Sequence, residues 1–251
     1  MSWRALYDAV LPVWIGLAGA VFVALWLVPA PYGRYAGRTP GPKLPARAGW
    51  LLMEAPAVVV FAWIWLAGPY RAASASLLFL ALWLSHYADR ALLFPWRLPA
   101  AAQPIPTVVV ALGFLFNVVN ASLNAGWLFA LSGGYPDSWL GDPRLLAGAA
   151  LFAAGWLVNR AADAELARLR AAGGYAIPRG PLYRWISCPN YLGEIAIWCG
   201  WALATWSAPG LAFALWTVAN LAPRAHRHHQ WYRARFPDYP KDRRALLPGI
   251  W

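Results

Sequence analysis

The sequence is poor in charged residues: only 12% of its 251 residues are Asp, Glu, Lys or Arg, and only 10 are acidic. Hydrophobic residues make up 61%, well above the average for soluble globular domains. Its two cysteines, Cys188 and Cys199, are too few for a disulfide framework and lack metal-pair spacing. A Rossmann glycine fingerprint, a Walker loop and a zinc-helix motif are also missing, which excludes the usual motif-bearing nucleotide and zinc sites.

What the sequence does have is long charge-free runs of the length that crosses a bilayer, about 20 residues. The 18 Trp residues fit a protein with two membrane interfaces. The first run is too long for a signal-peptide core, so we expect a retained span. The predicted spans are residues 9–33, 48–70, 72–93, 107–130 and 145–159, and two short ones from 195–223, divided at 207–210. The predicted fold is all-α and polytopic, with seven transmembrane helices.

The distribution of basic residues predicts the orientation. With the N-terminus outside and the C-terminus in the cytoplasm, the outside segments hold only Arg4, Arg71 and Arg144, and the other 18 of the 21 Lys and Arg residues are cytoplasmic. Six spans would move the basic tail outside. Part of the net charge of +11 then orients the protein in the membrane and binds anionic lipid headgroups. The other basic residues are available to bind the phosphates of a dinucleotide. Nucleic acid is not an expected partner, because the charges follow loops beside spans.

The segment Ser187–Glu194 directly precedes the last long apolar run. If Pro189 occupies the first helical turn, where its missing N–H costs least, the helix continues through Glu194. Ser187, Asn190 and Glu194 then form one stripe that faces one partner. A carboxylate entering an apolar helix is costly, so Glu194 should pair with a bound group or with protein. A helix cap at the membrane surface explains this segment equally well.

Asn159, Asp163 and Arg170 have helical spacing along an extension of the fifth span. At i, i+4 and i+11 they lie on one face of a helix. Taken alone, this pattern favours a solvated helix end with helix-pairing charges.

Arg224, His228 and Tyr232 form a stripe at i, i+4 and i+8 on the helix that leaves the membrane last. His226 and His229 lie off this stripe. Three clustered histidines invite a metal site, but no Cys or carboxylate accompanies them at ligand spacing. We therefore expect no metal.

An acidic residue, Glu54, interrupts the second predicted span. It lies about 9 Å along that span at 1.5 Å per residue, and Tyr87 lies at a similar depth in the antiparallel third span. Neighbouring spans would bring the two side chains together. An aromatic belt also explains Tyr87, but it does not explain an intramembrane carboxyl without an adjacent basic residue.

The order and spacing of these motifs resemble the membrane steroid 5α-reductase (3-oxo-5α-steroid 4-dehydrogenase) family, in a bacterial-type form. The resemblance is strong over roughly residues 150–251. Its motifs there are residues 175–180, 187–194, 204–207, 224–232 and 236–248. It is thinner at Leu44–Ala48, Glu54, His86–Tyr87 and Tyr135–Asp137.

The resemblance implies an NADPH site on the cytoplasmic side. The residues that match the family's cofactor site are Asn159, Asp163, Arg170, Tyr175, Asn190, Glu194, Arg224, His228, Tyr232 and Arg243. Arginine suits phosphate because its planar fork makes two parallel hydrogen bonds. By the same resemblance, residues 1–145 with four spans form the substrate pocket. Residues 146–251, with three spans and cytoplasmic loops, form the cofactor-binding part of one integrated membrane domain.

In the resembled family, the residues matching Glu54 and Tyr87 hold the ketone oxygen of the steroid. The implied reaction is reduction of the carbon–carbon double bond of a 3-oxo-Δ4-steroid or similar apolar enone, in a multi-pass protein of the bacterial inner membrane. Met53 departs from the family, since animal members tend to have a polar amide there.

Two alternatives stay open beside this reaction. One is reduction of an enoyl thioester, a polyprenol or another sterol double bond by a related membrane reductase. The second is an isoprenylcysteine-type membrane methyltransferase with a similar helical cytoplasmic pocket. A non-enzymatic sterol-binding protein is less consistent with the sequence, because it would not need residues suited to phosphate binding on the cytoplasmic side.

Overall fold

The structure, a computed structural model, describes residues 2–29, 40–98, 102–171 and 176–251. In these residues the regular secondary structure is helical apart from one short antiparallel pair of strands and an isolated bridge, which confirms the all-α class. The α-helices are α1 (Trp3–Leu27), α2 (Ala46–Ala67), α3 (Ser74–Tyr87), α4 (Phe94–Arg97), α5 (Thr107–Gly126), α6 (Pro143–Ala171), α7 (Pro189–Thr205) and α8 (Ala208–Arg235). The strands are β1 (Lys43–Leu44) and β2 (Ile105–Pro106), with Lys43 opposite Pro106.

Five helical segments of the described chain are long and apolar enough to cross a membrane. They are Trp3–Leu27, Ala46–Ala67, Ser74–Arg97, Thr107–Leu131 and Pro143–Arg170. A seven-span arrangement needs two further spans from α7, which has 17 residues, and the first half of α8. The five segments support a membrane protein, whereas the sixth and seventh spans and the orientation of the termini stay predictions.

Helices extend beyond the apolar runs that predicted them. α1 begins at Trp3, earlier than predicted, because Arg4 and Asp8 pair at 3.0 Å on one face and remain within the helix. α6 continues past the predicted span 145–159 to Ala171, as the helical spacing of Asn159, Asp163 and Arg170 predicts. Hydropathy marks only the part of a helix suited to apolar surroundings, and charged residues at helical spacing can continue it.

The chain forms two compact units. The first comprises Met1–Leu11 and Ala30–Leu145, and the second comprises Pro12–Pro29 and Leu146–Trp251. The start of α1 therefore belongs to the first unit, and the rest of this helix belongs to the second.

An aromatic core joins α2 and α3 in the first unit. Phe61 and Trp83 stack with their ring centroids 4.2 Å apart, and Phe129 meets Phe61 edge-on at 5.2 Å. Trp83 donates a hydrogen bond from Nε1 to the carbonyl oxygen of Ala57 at 2.8 Å. Because a buried indole N–H needs an acceptor, this bond fixes α3 against α2 one turn before Tyr87.

In the second unit, α6 and α7 approach so closely that glycine is required at their contact. A Cβ atom added to Gly155 would lie 2.7 Å from the carbonyl oxygen of Gly193, and one added to Gly200 would lie 2.5 Å from the amide nitrogen of Phe152. Small residues at such positions let helix backbones pack directly against each other. The polar side chains of the two helices are thereby brought within hydrogen-bonding distance.

The last apolar stretch divides into two helices, as predicted, but the break falls at residues 206–207, at the start of the predicted division 207–210. α7 ends at Thr205, and Trp206 adopts a left-handed backbone with φ of 43°. The Ser207 hydroxyl then accepts a hydrogen bond from the Gly210 backbone N–H at 3.2 Å and caps the start of α8.

Candidate active site

Three polar side chains from different helices meet in the first unit. Glu54 lies in α2 and Tyr87 at the end of α3, and Asn117 of α5 contacts both. Nδ2 of Asn117 donates to the carbonyl oxygen of Met53 at 2.8 Å and to Oε2 of Glu54 at 3.4 Å. The Tyr87 hydroxyl donates a long hydrogen bond to Oδ1 of Asn117 at 3.5 Å. The two residues predicted to lie together are thus joined through a third.

Charge and overall hydropathy do not reveal Asn117, because an amide is uncharged and α5 contains no charged residue. Spacing is the signal that could have revealed it. Asn117, Asn120 and Asn124 fall at i, i+3 and i+7 of α5, and all three are buried. A buried amide is costly without hydrogen-bond partners, so an asparagine stripe in an apolar helix indicates polar neighbours.

Tyr87 lies where α3 changes into a wider helical turn. Residues Ala88–Leu93 form a π-helical turn, a feature found frequently at functional sites. In this turn, the guanidinium carbon of Arg90 stands 5.1 Å from the ring centroid of Trp50. Nε1 of Trp50 donates to the Arg90 carbonyl oxygen at 2.8 Å. These contacts hold the turn against α2 about one helical turn before Glu54.

In the second unit, four of the predicted cofactor residues form one hydrogen-bonded group that links α6 and α7. Nδ2 of Asn159 donates to Oε2 of Glu194 at 3.1 Å and to the carbonyl oxygen of Asn190 at 2.9 Å. Nδ2 of Asn190 donates to Oδ1 of Asp163 at 3.1 Å. Glu194 also accepts from Nε1 of Trp198 at 3.0 Å. The Glu194 carboxylate is therefore paired with protein side chains. This is one of the two outcomes expected from the sequence, the other being a bound group.

Ser187 does not share the stripe of Glu194, and that prediction was wrong. α7 begins at Pro189, so Ser187 precedes the helix and helical spacing does not apply to it. Its buried hydroxyl is hydrogen-bonded with Nδ1 of His229 at 2.7 Å and with the Tyr239 hydroxyl at 2.6 Å. Burial lowers the pKa of His229, which favours its neutral form. The group connects the start of α7 with α8 and the chain that follows it.

Arg224 and His228 of α8 both reach Tyr191 of α7. Nε2 of His228 and the Tyr191 hydroxyl are hydrogen-bonded at 3.1 Å, and the Arg224 guanidinium carbon lies 5.2 Å from the Tyr191 ring centroid. Arg224 also donates from Nη1 to Oδ1 of Asn220 at 3.1 Å. Both residues of the stripe are half-buried, so a ligand has access to them. Tyr191 adjoins Asn190, which places them beside the group that links α6 and α7.

The other predicted cofactor residues are arranged differently. Tyr232 is buried and stacks on Tyr239, with ring centroids 5.3 Å apart. Arg243 is also buried and donates from Nη2 to the carbonyl oxygen of Pro178 at 3.2 Å. Its Nε has no hydrogen-bond partner among the described residues. Arg170 is exposed near the end of α6, and Tyr175 lies outside the described residues.

Taken together, the second unit offers amides and carboxylates in one group, a half-buried arginine beside it, and a buried guanidinium nitrogen without a partner in the described chain. This set suits a ligand that has hydroxyl, amide and phosphate groups, because guanidinium binds phosphate and carboxylates accept from hydroxyls. In the described part of the chain, no group of three or more His, Cys, Asp or Glu side chains could hold a metal ion.

The five long apolar helices indicate a helical membrane protein, and each of its two units contains a hydrogen-bonded group of polar side chains. A family model for 3-oxo-5-alpha-steroid 4-dehydrogenase matches residues 103–251. The chain belongs to this family, and the resemblance inferred from the motifs is confirmed.

Relatives from animals and plants match nearly the whole chain. A Bos taurus protein named 3-oxo-5-alpha-steroid 4-dehydrogenase 1 is 41% identical over 98% of this chain and 98% of its own length. A Gossypium hirsutum protein named steroid 5-alpha-reductase DET2 is 38% identical over 98% of this chain and 95% of its own. The Homo sapiens 3-oxo-5-alpha-steroid 4-dehydrogenase 1 is 37% identical over 87% of this chain and 85% of its own. The similarity therefore includes the first unit, with Glu54 and Tyr87, as well as the second.

Proposed function

We propose that the protein is a membrane oxidoreductase that uses NADPH to reduce the carbon–carbon double bond of a 3-oxo-Δ4-steroid or a similar apolar enone. Support for the reaction class comes from the family, whose members are named for this activity. The observation that carries the proposal is the meeting of Glu54, Tyr87 and Asn117 among apolar helices. Such a cluster suits the single ketone of an otherwise apolar substrate.

Tyr87 and Glu54 bind the ketone oxygen. The Tyr87 hydroxyl donates to this oxygen and stabilises the negative charge that develops there, which is an oxyanion-hole role. A carboxyl in apolar surroundings favours its neutral form, so Glu54 can donate a second hydrogen bond. The long contact between Tyr87 and Asn117 is weak enough for the ketone to replace it. The Trp83 ring packs against the Tyr87 ring with centroids 4.9 Å apart, so the phenol lies in apolar surroundings.

NADPH, when bound, supplies the hydride that adds to the β-carbon, and a proton then adds to the α-carbon. The residues proposed to hold it are the ten predicted from the family match. Arg170, Arg224 and Arg243 provide guanidinium groups for phosphate. Asn159, Asp163, Asn190 and Glu194 provide acceptors and donors for hydroxyl and amide groups, while His228, Tyr175 and Tyr232 complete the set.

The location of the protein is also a proposal. Seven spans, with the N-terminus outside and the C-terminus in the cytoplasm, put the cofactor residues on the side where NADPH is available. The spans surround an apolar substrate pocket in residues 1–145, and residues 146–251 hold the cofactor. We propose the bacterial inner membrane as the site of this arrangement, with membrane lipid around the spans and as the route of an apolar substrate.

The test is a turnover assay with a 3-oxo-Δ4-steroid and NADPH that carries deuterium at the transferable position. The expected product has deuterium on the β-carbon and an intact ketone. Deuterium on the ketone carbon would instead indicate a carbonyl reductase. Thermal protection by S-adenosylmethionine and not by NADPH would indicate a methyltransferase, because only a ligand that binds the folded state stabilises it.

A further inference from the structure

Asn117 is a fully enclosed amide whose orientation is fixed by its neighbours. Its side chain is 5% exposed, and the shortest of its contacts is the 2.8 Å hydrogen bond to the backbone oxygen of Met53. A carbonyl oxygen only accepts, so the amide nitrogen must face Met53 and Glu54. The amide oxygen must then face Tyr87, which lies 3.5 Å away. One side chain thus presents a donor to the carboxyl and an acceptor to the phenol.

This arrangement explains how two flexible groups on separate helices can be directed at one ketone oxygen. Glu54 is half-buried on α2 and Tyr87 is buried at the end of α3, so neither helix alone sets the distance between their polar atoms. Asn117 on α5 contacts both. The Asn117 side chain is held in place by its hydrogen bond to the Met53 backbone oxygen, which is less mobile than a side chain. Preorganised groups of this kind bind a developing charge without reorganisation.

We propose that Asn117 is the positioning residue of the ketone-binding pair, holding the Glu54 carboxyl and the Tyr87 hydroxyl at the separation that the enone oxygen requires. It acts through these two residues and not on the substrate. In the absence of substrate, its amide oxygen accepts a hydrogen bond from the Tyr87 hydroxyl. When substrate binds, the ketone oxygen replaces the amide as the acceptor. The inference rests on the proposed function, because it assigns Asn117 a part in that same reaction.

The test compares Asn117→Leu with Asn120→Leu. Asn120 is a matched control, because it lies three residues away on the same face of α5, is 1% exposed and accepts hydrogen bonds from Asn124, a residue of its own helix. Both variants remove one buried amide from the same helix. Asn117→Leu should lower kcat/KM for a 3-oxo-Δ4-steroid by about 10- to 100-fold, the scale of a small misplacement of reacting groups. Asn120→Leu should change it little.

Two binding measurements separate positioning from general damage. Thermal protection by NADPH should be the same in Asn117→Leu as in the unaltered protein. Protection by a saturated 3-oxo-5α-steroid, which has the ketone but no double bond, should weaken. Equal losses of turnover in the two Leu variants, or unaltered turnover in Asn117→Leu, would overturn the inference. If the unaltered protein reduces no enone at all, the proposed function fails instead.

Asn117→Asp provides a second test that keeps the shape of the side chain. Aspartate retains an acceptor for Tyr87 but, when ionised, has no donor for Glu54 and instead accepts a hydrogen bond from the neutral Glu54 carboxyl, which takes that donor away from the ketone. The activity of this variant relative to the unaltered protein should therefore rise as the pH falls and the pair takes up a proton. A constant ratio across pH would contradict the donor role of the Asn117 amide.

Discussion

Gly193 of α7 packs directly against Asn159 of α6: a Cβ atom added to Gly193 would lie 2.5 Å from the Asn159 backbone nitrogen. The side chain of Asn159 donates to Glu194, the next residue after this contact. Asn190, about one turn earlier, supplies its carbonyl oxygen to the same amide. The close approach of the backbones and the polar group of the second unit therefore depend on each other.

Gly193→Ala should consequently destabilise the protein and disturb the polar group. The added methyl meets backbone and not a movable side chain, so the helices must separate. Overpacking of this kind costs about 1–3 kcal/mol. The measurement is the thermal unfolding temperature in detergent, which should fall. Gly16→Ala is the control, because a Cβ atom there would have nothing within 4 Å, and its unfolding temperature should not fall. Equal unfolding temperatures in all three proteins would contradict the close contact.

A second prediction concerns Arg224 and Asn190 as NADPH ligands. Arg224→Ala removes a guanidinium that suits phosphate, and Asn190→Ala removes the amide that bonds to Asp163. Each should reduce the rise in unfolding temperature that NADPH produces in the unaltered protein. Arg233→Ala is the matched control, since Arg233 is an exposed arginine of the same helix off the stripe. Full protection in both test variants would remove these residues from the cofactor site.

The buried link between Ser187 and His229 predicts a stability that depends on pH. Burial lowers the pKa of His229, and the charge of Arg233 acts in the same direction. Below the ordinary histidine pKa of about 6.5, the unfolded chain binds a proton that the folded chain does not. Stability should therefore fall as the pH drops from about 6.5 towards the lower folded-state pKa. His229→Asn should show a shallower fall over this window in thermal unfolding, and an identical pH profile would exclude the contribution of His229.

Helical periodicity predicts part of the site well. Asn159 and Asp163 lie on one face of α6, and Asn190 and Glu194 lie on one face of α7, so a period of 3.6 residues is enough to bring them together. Ser187 shows the limit of this reasoning, because the spacing rule stops where the helix begins.

Other features depend on contacts that sequence spacing does not encode. Asn117 contacts two residues far away in the chain, and only the packing of α2, α3 and α5 brings them together. The start of α1 is also missed, because the paired charges Arg4 and Asp8 continue the helix beyond its apolar part. The fold class therefore follows from composition, whereas the partners of a buried polar group do not.

A fourth group of experiments tests the proposed topology. Reporter fusions at Ser138 and Ala208 should read outside, and fusions at Ala171 and Trp251 should read inside. The basis is the 18 basic residues in the proposed cytoplasmic segments against three outside. Ala208 is decisive, because it begins α8 at the turn between the sixth and seventh proposed spans. A C-terminal fusion that reads outside would eliminate the seven-span arrangement.

The last prediction separates catalysis from cofactor binding. Tyr87→Phe and Glu54→Gln each alter a group proposed to act on the ketone oxygen, and neither residue is among the proposed NADPH ligands. Turnover of a 3-oxo-Δ4-steroid should fall by ~100-fold or more, the usual loss for one oxyanion donor. Protection by NADPH should stay nearly intact. Part of the loss should appear as weaker steroid binding, because the same hydrogen bond exists in the ground state.

Tyr135→Phe is the control for these variants. Tyr135 belongs to the first unit, and its ring packs edge-on against Phe79 at 5.0 Å, a contact that phenylalanine preserves. Loss of its hydroxyl should leave turnover nearly unchanged, which shows that removal of a phenol from this unit is not harmful in itself. If Tyr87→Phe turned over steroid as fast as Tyr135→Phe does, the ketone oxygen would have a different donor. If Tyr87→Phe instead lost NADPH protection together with turnover, its effect would belong to the cofactor site and the division of roles between the two units would be wrong.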